Sequence, residues 1–182
     1  MLATELTDEK IMLRVKDGQL ADLGELFERY NVRMFNFFLK LSFDRFASED
    51  MVQTLFYRLI KYRHTFKPGE GTFRPWIYQA ARNVHADFYK QQRRVNDKVK
   101  SVDEYHENIP GEETPYRDED MEKLDKALLQ LAPAQREIIL LSRYEGLKYE
   151  EISKIMDISV AAIKVQVHRA IKQLRTIYFT QQ

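Results

Sequence analysis

Cysteine is absent from this 182-residue sequence, and glycine and proline are scarce, with 6 and 5 residues respectively. Without thiols the chain can form neither disulfides nor thiolate-ligated metal sites. Few glycines and prolines argue against an all-β architecture, because its many tight turns depend on these residues. No apolar run approaches the roughly 18–20 residues that span a bilayer. These absences favour an all-α protein, and no membrane insertion is expected.

Signatures of catalysis and of secretion are missing as well. The four histidines are scattered along the chain without the paired spacing of a metal site. Neither a glycine-rich phosphate-binding loop nor a nucleophile motif is present. The N-terminus carries acids early and lacks a basic segment followed by an apolar core, so no signal peptide is predicted. We therefore expect a cytoplasmic protein that is not an enzyme and needs no cofactor or metal.

The formal net charge of +1 conceals two basic segments that flank an acidic one. Lysine and arginine dominate residues 58–94, aspartate and glutamate dominate residues 97–122, and no acid follows residue 157. Segregation of this kind predicts two modules that face a polyanion such as nucleic acid, joined by a segment that does not bind phosphate.

Apolar residues recur three to four positions apart, the period of an α-helix, along most of the chain. Ser48, followed by two acids, is predicted to cap the third helix. The predicted organisation is an all-α fold with a helical domain at 1–94, a flexible acidic linker at 95–120 and a second helical domain at 121–182. The helices are predicted at residues 6–41 (two helices), 49–64, 73–94, 121–131, 133–144, 149–156 and 160–174.

The helix predicted at residues 73–94 has one apolar face and one face able to contact nucleic acid. Trp76 lies on the apolar stripe, and we assign it to the core. The opposite face mixes amide and guanidinium groups, which hydrogen-bond to base edges and phosphates, with one acid. Taken alone, this pattern is also that of an ordinary amphipathic surface helix. The polar face carries Gln79, Arg82, Asn83, Ala86, Asp87, Lys90 and Arg93.

Residues 149–174 match the pattern of a helix-turn-helix. Asp157 stands at the turn position that often holds glycine, and aspartate tolerates the left-handed conformation better than most residues. A plain helical hairpin is the alternative, but its exposed face would rarely be this free of acids. The internal core positions hold Ile152, Ile155, Ile158, Ile163 and Val167. The exposed face of the second helix holds Ala161, Ala162, Lys164, Val165, Gln166, His168, Arg169 and Lys172.

Three segments of the sequence resemble, in family order, motifs of the extracytoplasmic-function (ECF) sigma factors of bacterial RNA polymerase. Residues 131–175, LAPAQREIILLSRYEGLKYEEISKIMDISVAAIKVQVHRAIKQLR, resemble the family's promoter-binding C-terminal domain. Residues 47–66, ASEDMVQTLFYRLIKYRHTF, look like the polymerase-binding D-L-V-Q-E-x-F helix. Residues 73–83, FRPWIYQAARN, look like the promoter-melting F-x-x-W-L-Y-x-I-A-x-N helix. The resemblance covers nearly the whole chain.

The resemblance implies that the helix at 49–64 binds core RNA polymerase through the clamp of its β′ subunit. The β flap is expected as a second polymerase contact of the chain. Thr54 stands where the family usually has glutamate, so one polar contact to the clamp is expected to differ. The acidic linker is expected to thread towards the active-site cleft. The candidate polymerase-binding residues are Asp50, Gln53, Thr54, Tyr57, Arg58 and Lys61.

The resemblance further implies that the loop at 66–72 and the helix after it bind and open the minus-ten promoter element. A base of the non-template strand must leave the stack before it is read, and a loop pocket beside a basic helix suits that step. The candidate minus-ten residues are Phe66, Lys67, Gly69, Glu70, Thr72, Arg74, Gln79, Arg82, Asn83, Asp87, Lys90, Arg93 and Arg94.

The helix at 160–174 is expected to enter the major groove at the minus-thirty-five element. Ala161-Ala162 replaces a common Gly-Thr, and Gln166 stands where arginine is frequent. Glutamine pairs with adenine whereas arginine prefers guanine or a phosphate, so the upstream preference is expected to be unusual or weak. The candidate residues are Ser159, Ala161, Ala162, Lys164, Val165, Gln166, His168, Arg169 and Lys172.

The expected partners are core RNA polymerase and promoter DNA, with an anti-sigma factor or a recruiting protein as further candidates. Three alternatives stay open. A regulator could bind duplex DNA as a dimer without polymerase, another protein could bring a sigma-like factor to DNA, or a polymerase-bound factor of sigma type could act without melting promoters. The dimeric regulator leaves residues 48–63 and the melting-type helix unexplained, and no heptad dimerisation helix is evident.

Overall fold

The computed structural model describes residues 6–69, 71–98 and 119–180, and these residues form helices without any β-strand. The all-α prediction is confirmed. No helix in these ranges combines the length and the apolar character that a bilayer crossing requires. The α-helices of the described residues are α1 (Asp8–Lys16), α2 (Leu23–Ser42), α3 (Arg45–Lys61), α4 (Phe73–Lys98), α5 (Glu119–Leu129), α6 (Pro133–Ile139), α7 (Tyr149–Met156) and α8 (Val160–Thr180).

The chain divides into two compact units. The first takes in Met1–Phe38 and Phe46–Glu107, and the second takes in Leu39–Arg45 and Asn108–Gln182. α1, α3 and α4 therefore belong to the first unit with most of α2, and α5 to α8 belong to the second.

Helix α1 is tied to α2 by polar contacts at its first turn. Its cap is Thr7, whose hydroxyl accepts a hydrogen bond from the Lys10 amide at 3.4 Å. The carboxylate of Asp8 accepts from the Arg29 guanidinium at 2.7 Å and from the hydroxyl of buried Tyr30. Burial, and then the Asp8 carboxylate, raise the pKa of Tyr30 above its ordinary value of about 10. Tyr30 therefore remains a neutral hydrogen-bond donor at neutral pH.

The core of the first unit is rich in aromatic side chains. Phe37 and Phe38 of α2 are buried, as the helical periodicity of that segment predicts. Tyr78 of α4 is fully buried as well and meets Phe37 edge to face, with the ring centroids 5.2 Å apart. Tyr78 was not among the predicted core positions. Such aromatic pairs contribute about 0.5–1.5 kcal/mol beyond the burial of their area.

The predicted start of α3 is wrong. The helix begins at Arg45, three residues before Ser48, and Ser48 is a fully buried helical residue rather than a cap. Its neighbour Ala47 is also buried. These small side chains let the first turn pack against the core, and tertiary packing of this kind overrides local capping preference.

Other helix ends also differ from the sequence-based boundaries; α8, for example, runs to Thr180 rather than to residue 174. Helix α4 continues through Lys98, past its predicted end at residue 94, and α5 begins at Glu119, inside the predicted linker. The remainder of that linker lies outside the described residues.

A buried arginine, Arg136, organises the second unit. Its guanidinium donates to the carbonyls of Leu128, Leu129 and Leu131, at 2.9, 2.7 and 3.3 Å. The last carbonyls of a helix have no partner inside it, so Arg136 satisfies the C-terminal end of α5. Pro133 starts α6 as predicted, because proline is tolerated at the first helical positions.

Candidate nucleic-acid interface

Helix α3 has one buried and one exposed face. Met51, Leu55 and Leu59 are almost fully buried, whereas Tyr57 is 63% exposed. Phe46 is 81% exposed at the start of the same helix, and it shares the exposed stripe because it precedes Tyr57 by three turns. Phe46 is absent from the predicted polymerase-binding residues, because the predicted helix begins only at residue 49. Of the candidates on α3, Asp50, Gln53, Thr54, Tyr57 and Lys61 are exposed and Arg58 is half-buried.

An ion pair links α3 to α4. The Arg58 guanidinium lies 2.7 Å from the Asp87 carboxylate, with the two side chains 30% and 59% exposed. The resemblance implies a polymerase contact for Arg58 and a DNA contact for Asp87, but the structure brings the two side chains together.

The loop before α4 is anchored by buried aromatic side chains. Phe66 and Phe73 are 1% and 0% exposed, with their ring centroids 6.1 Å apart. The half-buried Trp76 lies edge-on to Phe66 at 5.3 Å, consistent with its assignment to the apolar stripe. The Phe66 side chain therefore packs in the core and anchors the start of the loop, although it was a candidate minus-ten residue. Lys67, Gly69 and Thr72 are exposed between the anchors, and Glu70 lies outside the described residues.

Helix α4 presents a row of polar side chains beside this loop. Arg74 and Arg82 are half-buried, whereas the other candidates on this helix are exposed. Residues three to four apart lie next to each other along one face of a helix. The exposed row consists of Gln79, Asn83, Asp87, Lys90 and Arg94, with Arg93 at its edge.

The structure contains the predicted turn between α7 and α8. Asp157 adopts the left-handed conformation with φ 54° and ψ 46°. The Ser153 hydroxyl donates to the Ile158 carbonyl at 2.5 Å, and the Ser159 hydroxyl accepts from the Ala162 amide at 3.2 Å. Ser159 thus caps α8. The core positions Ile152, Ile155, Ile163 and Val167 are buried, and Ile158 is half-buried.

The free face of α8 is basic. No acid occurs between Val160 and Thr180, so the helix carries only positive formal charge. Ala162 and Gln166 are half-buried at its edge. A cationic helix held by a turn in this way can place side chains on base edges and phosphates in a major groove. The exposed candidates are Ala161, Lys164, Val165, His168, Arg169 and Lys172.

Among the residues that the structure describes, no group of three or more His, Asp or Glu side chains is placed to hold a metal ion.

Two family models match the chain. The model for sigma-70 region 2 matches residues 26–95, and the model for sigma-70 region 4 matches residues 121–174. The first match contains α3, the loop and most of α4, and the second contains the helix-turn-helix.

Similar proteins align over most of the chain. The RNA polymerase sigma factor CarQ of Myxococcus xanthus is 31% identical over 169 residues, which cover 91% of this chain and 94% of CarQ. The ECF RNA polymerase sigma factor SigM of Bacillus subtilis is 26% identical over 160 residues, covering 86% of this chain and 94% of SigM. SigE of Mycolicibacterium smegmatis is 28% identical, but its match covers only 59% of SigE.

Two solved structures share the fold. CnrH, in complex with the cytosolic domain of CnrY, superposes with a TM-score of 0.73 at 19% identity, covering 96% of this chain and 99% of that one. RpoE of Bartonella quintana, in complex with the anti-sigma factor NepR, superposes with a TM-score of 0.68 at 24% identity, covering 88% and 99%.

Proposed function

The chain belongs to the ECF sigma factors of bacterial RNA polymerase, and we propose that it directs core polymerase to selected promoters and helps to open them. The observation that carries this function is the presence of region 2 and region 4 in one chain. Region 2 exposes aromatic and polar side chains on α3 and a polar row on α4, and region 4 exposes basic side chains on α8.

Helix α3 is the proposed docking element for the polymerase clamp. Its exposed stripe combines the aromatic side chains of Phe46 and Tyr57 with the polar side chains of Asp50 and Gln53. Aromatic residues at the centre of an interface commonly supply most of its binding energy. Thr54 lies within this stripe, so a shorter side chain than the family's glutamate faces the clamp.

The loop at 66–72 and the exposed row of α4 are the proposed site of the minus-ten element. The exposed loop residues lie between the buried residues Phe66 and Phe73, and Asn83 lies one turn from Gln79 on α4. Such a loop can receive a base that has left the stack, while the basic residues of α4 hold the phosphates.

Helix α8 is the proposed reader of the minus-thirty-five element. Its charge is entirely basic, and its N-terminal turn, capped by Ser159, is the part that reaches base edges in helix-turn-helix proteins.

An anti-sigma factor is a further proposed partner. One similar structure, RpoE of Bartonella quintana, is a complex with the anti-sigma factor NepR. We also propose that the protein is a non-catalytic initiation factor that acts in the cytoplasm, where core polymerase and promoter DNA are found.

The deciding experiment is transcription in vitro with the purified chain, bacterial core polymerase and a genomic promoter library. New start sites that depend on the chain, together with co-elution of chain and core in gel filtration, are the expected result. Absence of both would overturn the sigma function. Specific duplex binding by the free chain at nanomolar concentration would instead favour a dimeric regulator.

Asn83→Ala tests the role of α4. Asn83 is exposed, so its amide can contact DNA without any change to the core. The variant is expected to lower open-complex formation about tenfold or more, the effect of losing one good contact of 1–3 kcal/mol. Permanganate reactivity of the melted strand measures the opening, and gel filtration checks that core binding is intact. Equal opening by both proteins would contradict the assignment.

A further inference from the structure

Two glycines, Gly69 and Gly71, lie between the buried aromatic residues Phe66 and Phe73. A methyl group added at Gly69 or Gly71 would meet no atom within 4 Å, so neither glycine is pressed against a neighbour. Glycine also loses more conformational freedom on ordering than any other residue. A loop of this composition depends on its ends for a defined shape.

Both ends of this loop are held by side chains of α1. At the start of the loop, the Lys16 ammonium donates to the Phe66 carbonyl at 2.8 Å. At its end, the Phe73 amide donates to the Glu9 carboxylate at 3.0 Å. Glu9 and Lys16 are seven residues apart, about two helical turns, so they lie on the same face of α1.

Each of these hydrogen bonds involves a charged group. Such bonds are shorter and roughly twice as strong as bonds between neutral groups. Both side chains are half-buried, which limits competition from water. Glu9 also lies at the N-terminus of α4, where unpaired amides favour a negative charge.

The position of α1 does not depend on these two side chains. Ile11, Met12 and Val15 are each 0% exposed in the core, and Asp8 ties the helix to Arg29. Removal of Glu9 or Lys16 is therefore expected to free the Phe73 amide or the Phe66 carbonyl, while α1 and the buried Phe66 and Phe73 rings stay in place.

We propose that Glu9 and Lys16 are positioning residues for minus-ten recognition, which hold the loop in the shape that distinguishes the captured base. This inference rests on the proposed function of the loop. Both residues precede residue 26, where the region 2 match begins, so the match does not include them. Base specificity in this chain thus depends on a helix that itself need not touch DNA.

The test measures base discrimination by holoenzyme reconstituted from the full chain and bacterial core polymerase. Affinity is determined for four partly single-stranded promoter templates that differ only in the captured base. The double variant Glu9→Ala/Lys16→Met is expected to lower the ratio between best and worst base about tenfold, because it removes two charge-assisted hydrogen bonds. Its affinity for core polymerase is expected to stay unchanged.

Conservative variants and matched controls distinguish a positioning role of Glu9 and Lys16 from a general effect of lost charge. Glu9→Gln and Lys16→Arg keep an acceptor and a donor, so they should retain the ratio to within about twofold. Glu28→Gln and Lys10→Met make the same kind of charge change at exposed sites and should leave it unaltered. If the double variant unfolds, as judged by circular dichroism, Glu9→Ala and Lys16→Met are measured singly, and each should lose part of the ratio.

Two results would overturn the proposal. One is an unchanged ratio in a folded double variant, and the other is an equal loss in the two matched controls. Exchange of the Phe73 amide hydrogen gives an independent readout, and it should accelerate in Glu9→Ala. If wild-type holoenzyme shows no base preference, the proposed function of the loop fails, whereas the exchange measurement still reports whether Glu9 holds the start of α4.

Discussion

Asp87 is a candidate DNA contact and also the ion-pair partner of Arg58. Its carboxylate lies 2.7 Å from Arg58, although the sequence places the two residues in different binding sites. Pairs with this much solvent exposure stabilise a protein by only about 0.2–1 kcal/mol. Polymerase or DNA can therefore replace either partner at low cost. Asn83 is the sharper probe of α4, because changing it leaves this ion pair in place.

Gln166 is the residue whose replacement should change promoter choice. Gln166→Arg is expected to shift preference from adenine towards guanine at one or two upstream base pairs, by about 1–3 kcal/mol each. Affinity for a set of minus-thirty-five variants measures the shift. Lys172→Ala serves as the comparison, since loss of a phosphate contact should weaken all sequences alike. An unaltered preference would show that this side chain does not enter the groove.

Helix α3 shows how an element can be recognised correctly and yet be bounded wrongly. Its central apolar pairs predict the buried face, and that face is buried. The sequence predicts a loop in place of its first turn, because the residues around Ser48 have the pattern of a helix cap. This boundary matters for the proposed function, because the first turn of α3 exposes Phe46 on the proposed docking stripe.

The aromatic residues of this stripe should dominate polymerase binding. Phe46→Ala and Tyr57→Ala are each expected to weaken core binding about tenfold or more, because aromatic side chains that become buried in an interface are typical hot spots. Val32→Ala is the matched control, since Val32 is 65% exposed on α2 outside the stripe. Competition for core polymerase with a labelled sigma factor measures the affinities. Similar values for all three variants would place the docking surface elsewhere.

At the scale of the whole molecule, the two units carry the two proposed promoter contacts. Each unit has its own core, one built on the aromatic side chains of α2 and α4, the other on Arg136 and the helix-turn-helix. Two linked units bind one promoter more tightly than either unit alone, because binding of the first raises the effective concentration of the second. That gain is lost when the sites cannot be occupied together.

Promoter spacing tests this joint occupancy. An insertion of about five base pairs between the two elements turns the upstream element by half a helical turn. Transcription from such a promoter is expected to fall about tenfold or more, because only one unit can then bind. The same insertion upstream of both elements is the control. Full activity of the altered promoter would show that α8 contributes little, in line with its departures from the family pattern.

Local patterns in the sequence determined the helical class, the helix-turn-helix and the order of the modules. Helical periodicity depends on neighbours within one or two turns, and the left-handed turn at Asp157 follows from the chemistry of one residue. These features need no knowledge of distant contacts. For this reason the resemblance to sigma factors could be drawn from the chain alone.

Only the tertiary structure decided which side chains meet across long stretches of chain. The anchors of the minus-ten loop join residues 50 and 64 positions apart, Lys16 with Phe66 and Glu9 with Phe73. Neither pair belongs to a local pattern, because their proximity arises from the packing of α1 in the core. The burial of Phe66, predicted as a DNA contact, has the same origin. Such contacts depend on the assembled core, so residue spacing along the sequence could not reveal them.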